Sequence, residues 1–183
     1  VTGASKRGWT TWLTGAADNE RVRGVMPIVI DVLNMDEQIE HHRKSYGYYS
    51  PAIYDYAQEQ VFDRFDTAAG QALLKLVDPF EYREHLRMPK FILNSTGDQF
   101  FLPDSSRFYF DRMLGEKHVN YVANTEHSLD NSTSLLDQSS AISSVLAFYM
   151  GVVQEAPRPQ MTWEFADDGT IVVETNRTPQ DIE

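Results

Sequence analysis

The chain contains no cysteine, which excludes disulfides, thiolate metal sites and a cysteine nucleophile together. Basic residues are also scarce, with 16 Lys and Arg against 27 Asp and Glu and a formal charge of −11. Nucleic acid is bound by clustered cations, so that partner class is excluded. Adhesion to anionic lipid is disfavoured for the same reason. Long apolar runs are missing too. Val25 to Val32 is broken by Pro27 and Asp31, and nothing reaches the length of a membrane-spanning helix. What remains is a globular composition of 183 residues, 42% hydrophobic and 12% aromatic, long enough to bury a full core.

The first fifteen residues, VTGASKRGWTTWLTG, carry the sharpest signal. A run of small residues around Ser5 ends a strand and opens a helix, which is how a nucleophilic serine is presented. The usual elbow is G-x-S-x-G, with the serine on a strained turn that lifts its hydroxyl clear of the sheet. Here the second glycine falls one place late, at Gly8. A bare Gly-x-Ser at a helix start is more often a cap than a nucleophile, so the case for Ser5 rests on residues farther along the chain. The chain opens inside what reads as a strand, and sequence is expected upstream of it.

Strand and helix signals then alternate, the pattern of an α/β fold with a parallel sheet. Residues 5 to 14 read as a helix through Trp9, Trp12 and Leu13, with Gly15 placed to stop it. Val22 to Val32, Lys90 to Ser95 and Val119 to Ala123 read as buried parallel strands. Asp104 to Leu114 reads as a helix capped by Asp104, and Ser134 to Met150 as a long amphipathic helix. Residues 36–88, helical and rich in Tyr and Phe, interrupt the alternation as a lid or cap insertion. On this reading residues 1–151 form one domain that lacks its N-terminal strands. After Ala156-Pro157-Arg158-Pro159 the alternation of Met161 to Phe165 and Thr170 to Thr175 around a turn predicts a hairpin. Residues 157–183 then start a C-terminal β module, since a lone hairpin is marginal.

Two loops supply partners for Ser5. The strand KFILNS runs into Thr96-Gly97-Asp98-Gln99, and the next strand runs into Asn124-Thr125-Glu126-His127. Exit loops of neighbouring parallel strands lie at one edge of the sheet, and Ser, acid, His is the chain order of this class of acyl-transfer enzyme. His127 would take the proton from Ser5 and return it to the leaving group. Asp98 would hold the imidazole in the required tautomer. The backbone N–H of Lys6, at a helix N-terminus, would be one oxyanion donor. Lys6 and Arg7 are otherwise ordinary solvated residues of a first turn, or cations that bind a substrate carboxylate.

Each position has a plainer alternative. Asp98 could be a turn residue and His127 an exposed loop histidine, while Asp31 and Asp104 compete for the acid. His41 and His42 beside Glu40 hint at a metal, but adjacent residues on a helix face different ways. His85 and His118 read as surface residues. The tyrosines at 46, 48, 49, 54 and 56 suit lid packing better than a sugar-stacking platform. Asn94, Asn131 and Asn176 begin glycosylation sequons, which are frequent by chance. No metal or cofactor is expected.

The elements GASKRGW, VRGVMPIVIDVLNM, NSTGDQFFLPDSS and NTEHSL together resemble the PhoPQ-activated pathogenicity-related protein family, over residues 1 to about 175. The resemblance implies an α/β-hydrolase fold, an extracytoplasmic setting and a link to virulence, with no secure substrate. By position Ser5, Asp98 and His127 match the family's triad. Glucuronoyl esterases show a similar Gly-x-Ser-x-x-Gly elbow, so the late glycine does not itself imply loss of function. The expectation is a serine hydrolase acting on a small-molecule, peptide or glycan ester or amide. The upstream part of the protein would complete the sheet and supply the second oxyanion donor. The alternative is a secreted signalling or binding protein on a non-catalytic hydrolase scaffold.

Overall fold

In the computed structural model, residues 1–129 and 135–178 are described. The chain divides into two compact units, Val1–Leu146 and Ala147–Glu183. The first is built on four parallel strands in spatial order β1 (Thr2–Ala4), β2 (Met26–Ile28), β3 (Lys90–Ser95) and β4 (Lys117–Val122). Helix α1 (Lys6–Ala17) links β1 to β2. Between β2 and β3 run α2 (Met35–Tyr46), α3 (Tyr54–Gln58) and α4 (Ala68–Val77), with several 3-10 turns. The core gathers Trp12 from α1, Val25 and Leu33 around β2, Leu86, Ile92 from β3 and Met113.

Local chemistry explains where the elements depart from their sequence signals. Helix α1 passes through Gly15 instead of stopping there. A β-carbon on Gly15 would stand 2.8 Å from Val25 Cγ1, so this glycine lets helix and strand approach closely. The apolar run Val22 to Val32 pairs as a strand only over Met26–Ile28, with an isolated bridge at Val25. Pro27 brings no N–H to the ladder, and Val29 adopts φ 45, a left-handed conformation that ends a β-branched strand. Strand β3 matches its sequence signal residue for residue and is buried throughout. Asn94 lies inside it, which removes that sequon from the surface. The helix expected over Asp104 to Leu114 is instead two 3-10 turns, Ser105–Phe108 and Phe110–Arg112. Asp104 makes no capping bond; its carboxylate is engaged by His41 and Arg107.

The crossover segment between β2 and β3 is fastened at both ends. Asp78 accepts the N–H groups of Asn34 at 3.2 Å and Met35 at 2.7 Å, satisfying donors at the start of α2. It also accepts from Phe80 N–H at 2.8 Å. Farther on, Ser50 N–H donates to His42 Nε2 at 3.0 Å, and Ser50 Oγ donates to the Gln99 carbonyl at 2.6 Å.

Helix α5 (Leu135–Val153) runs across the division between the units; Ser134, where its signal begins, and Asn131 lie outside the described residues. In the second unit β5 (Met161–Phe165) and β6 (Ile171–Thr175) pair antiparallel, from Met161↔Thr175 to Phe165↔Ile171. Gly169 supplies the φ of +85 that their tight turn needs. The rest of the expected C-terminal module, beyond residue 178, lies outside the described residues. Among the described residues no helix is long and apolar enough to cross a membrane.

Candidate active site

Ser5 stands between β1 and α1 with φ 54 and ψ −126, a conformation that non-glycine residues adopt only under constraint. Three backbone bonds hold it there. Its N–H donates to the Ile28 carbonyl at 2.8 Å, and its own carbonyl accepts from Gly8 N–H at 2.8 Å and Trp9 N–H at 3.1 Å. Two glycines clear the space around this turn. A β-carbon on Gly3 would meet the Arg7 carbonyl oxygen at 2.6 Å, and one on Gly8 would meet Ile30 Cγ2 at 2.4 Å. The late glycine therefore serves close strand–helix packing, as the second glycine of an ordinary elbow does.

Asp98 and His127 arrive from the exit loops of β3 and β4. His127 Nε2 lies 2.7 Å from Ser5 Oγ, and His127 Nδ1 lies 2.8 Å from Asp98 Oδ2. The Asp98 side chain is 2% exposed and that of His127 18%. Asp98 Oδ1 accepts the Phe100 N–H at 2.8 Å, so both carboxylate oxygens are engaged. Backbone bonds from Thr96 N–H to the Val122 carbonyl and Gly97 N–H to the Thr125 carbonyl hold the two loops together. Residues 122 chain positions apart thus meet in one hydrogen-bonded line. If the imidazole is neutral with its proton on Nδ1, Nε2 is free to accept from the Ser5 hydroxyl.

Several contributors are not evident from sequence. Phe100 and Phe101 place their rings 4.4 and 6.1 Å from the imidazole, centroid to centroid. The Gln99 side chain accepts the His127 N–H at 3.1 Å and donates to Glu126 Oε2 at 3.0 Å. The only available signal was the position of these residues directly after Asp98. Ser50 reaches the same loop from the crossover segment, which no local pattern announces.

The competing acids lie elsewhere. Asp104 pairs with His41 Nε2 at 2.8 Å and with Arg107 at 3.3 Å. Asp31 accepts from Tyr121 at 3.2 Å. The adjacent histidines do face apart, His41 toward Asp104 and His42 toward Ser50. Burial, with the neighbouring His41, lowers the His42 pKa, consistent with a neutral ring accepting a backbone N–H. His118 contacts Glu116 at 2.9 Å, and His85 is exposed. No cluster of metal-binding side chains occurs among the described residues.

Lys6 and Arg7 are exposed and form no ion pair among the described residues. The first turn of α1 contains no acidic residue. The N–H of Lys6 opens that helix and has no intrahelical acceptor. Ser5 therefore stands at the positive end of a helix whose next two side chains are cations.

A parallel sheet with a strand–Ser–helix turn and both partner loops at its carboxyl edge defines an α/β-hydrolase fold. Solved structures agree. The acylaminoacyl peptidase of Pyrococcus horikoshii superposes with a TM-score of 0.62 over 86% of this chain and 24% of its own, at 12% identity. An acetyl xylan esterase from Paenibacillus sp. R4 gives 0.54 over 80% and 43%, at 16% identity. Such low identity carries the fold alone. Within that fold the chain belongs to the PhoPQ-activated pathogenicity-related protein family, whose profile matches residues 1–183. It is 39% identical over 180 residues to the autocrine proliferation repressor protein A of Dictyostelium discoideum, a match covering 94% of this chain. The chain spans about a third of that relative's length, 35%.

Proposed function

We propose that this chain carries the site of a serine hydrolase that cleaves an ester or amide through an acyl-enzyme. The observation that carries the reading is the continuous line Ser5 Oγ–His127 Nε2 and His127 Nδ1–Asp98, at 2.7 and 2.8 Å. His127 takes the Ser5 proton as Oγ attacks the carbonyl, then delivers it to the leaving group. Asp98 holds the imidazole and stabilises its charged form. The Lys6 N–H donates to the oxyanion. The Lys6 and Arg7 side chains favour substrates with negative charge near the scissile bond, and the aromatic segment 36–88 acts as a lid that selects them. The setting proposed is extracytoplasmic, and the family's description as pathogenicity-related supports a link to virulence.

The test is pre-steady-state hydrolysis of activated acyl esters by the intact protein. A burst of leaving group stoichiometric with protein, absent in Ser5→Ala, is expected. Neither burst nor turnover across acyl chain lengths and charges would reject the reading.

A second reading has one specific support: the 39% identical relative bears the name of a proliferation repressor. On that reading the hydrolase scaffold carries a secreted signal or binding surface, and Ser5→Ala retains full biological activity.

A further inference from the structure

Helix α2 and its cap are bound along the stretch that follows Asp98. Asn34 Nδ2, at the cap, donates to the Phe108 carbonyl at 3.0 Å. Gln38 Nε2 donates to the Ser105 carbonyl at 3.2 Å, and His41 Nε2 pairs with Asp104 Oδ1 at 2.8 Å. Gln38 and His41, three positions apart, share one side of the helix. The next residue, His42, is 4% exposed and accepts the Ser50 N–H. Ser50 is itself buried, and its hydroxyl donates to the Gln99 carbonyl at 2.6 Å. Gln99 completes the line with its side chain. Oε1 accepts the His127 N–H at 3.1 Å, and Nε2 donates to Glu126 Oε2 at 3.0 Å. A fixed seat on α2 is thus joined, through Ser50 and Gln99, to the backbone of the base.

Unlike His42 and Ser50, Gln99 is solvent-exposed. Holding a glutamine side chain in one rotamer at the surface costs entropy, and bonds that compete with water return little stability. Such bonds do not account for the fold. What they fix is a position: Gln99 follows Asp98 directly, and its hold on residues 126 and 127 sets the gap across which Asp98 Oδ2 meets His127 Nδ1 at 2.8 Å.

We propose that Gln99 is a positioning residue of the Ser5 site, acting through His127, and that Ser50 relays to it the seating of the crossover segment. The proposal rests on the serine-hydrolase reading. A base displaced by about 1 Å loses its alignment with Ser5 Oγ, and rates fall steeply with misplacement on that scale. The crossover segment therefore acts on the chemistry as well as on access to it.

The experiment is a double-mutant cycle on the rate of fluorophosphonate labelling in the intact protein. Gln99→Leu cuts both side-chain bonds and keeps the carbonyl that Ser50 holds. It is expected to slow labelling about 3- to 10-fold, the effect of losing hydrogen bonds of ordinary strength. Ser50→Ala alone slows it to the same order. In a relay the last link is already cut, so adding Ser50→Ala to Gln99→Leu changes the rate by less than about 2-fold. Gln99→Glu combined with Glu126→Gln keeps an acceptor for the His127 N–H and a bond between the two side chains, and it restores the wild-type rate. Gln99→Glu alone sets two carboxylates against each other and does not. This exchange decides the matter should Ser50→Ala fail to fold. A wild-type rate in Gln99→Leu, effects that multiply in the double variant, or an exchange without recovery overturns the positioning role and leaves the serine-hydrolase reading intact. Wild-type protein that does not label overturns both.

Discussion

The carbonyl oxygen of Gly3 lies 2.9 Å from where a β-carbon on Gly8 would stand. The two glycines, five positions apart, face each other across the turn that presents Ser5. Gly8→Ala would also press on Ile30 Cγ2 and the Ile28 carbonyl, at 2.4 and 3.2 Å. It is expected to cost about 1–3 kcal/mol by overpacking and to suppress labelling of Ser5. Gly47→Ala meets nothing within 4 Å, although its φ is +76. It should cost only about 1 kcal/mol and leave labelling unchanged. Denaturant midpoints and labelling rates of the two variants check this directly.

Ser50 ties the crossover segment to the Asp98 loop through its bond to the Gln99 carbonyl and also accepts the Ala52 N–H at 3.2 Å. Ser50→Ala is expected to lower stability by about 1–2 kcal/mol, the range for losing a buried partner. Labelling should slow as the loop loosens, without being abolished. A variant with wild-type labelling and stability would show that the tether is incidental.

Lys6→Gln and Arg7→Gln test the substrate preference. Reaction with an anionic activated ester should slow by severalfold, while reaction with its neutral counterpart stays the same. The loss should shrink at high salt, because exposed charges are screened within about 10 Å at about 0.1 M. Equal effects on both esters would remove the cations from substrate recognition.

Lys90 gives a pH signature independent of chemistry. It is fully buried, and its ammonium donates to the carbonyls of Leu114 and Glu116. Burial, with Lys117 nearby, lowers its pKa from 10.5 to about 8. A lysine depressed in the folded state carries its charging penalty below the folded value and sheds it as pH rises toward the unfolded value. The wild type should therefore gain stability relative to Lys90→Met between about pH 8 and 10.5, as read from the difference in Tm. A difference independent of pH would mean that Lys90 titrates normally.

The parts legible in the sequence are those written in local runs. KFILNS is a fully buried strand and reads as one, and the exit loops holding Asp98 and His127 are implied by strand order alone. The features that escaped detection depend on distant partners. Asp104 looks like a cap, but His41, 63 positions away, engages its carboxylate, and the residues after it wind as 3-10 turns. Gly15 looks like a helix stop, yet packing against Val25 carries α1 through it. Val29 looks like mid-strand, and its left-handed φ ends pairing instead. Asp31 could be read only as an alternative acid, because Tyr121, 90 positions on, is invisible to any local pattern.

On this mechanism Ser5, His127 and Asp98 act as one nucleophilic unit. Fluorophosphonate labelling with intact-mass detection on the full-length protein tests it most directly, beside Ser5→Ala, His127→Ala and Asp98→Asn. One adduct per chain is expected, lost in Ser5→Ala and slowed by about 10²–10⁴-fold in the other two, the range a positioned general base contributes. Folded wild-type protein that forms no adduct, or an adduct that persists in Ser5→Ala, would contradict it.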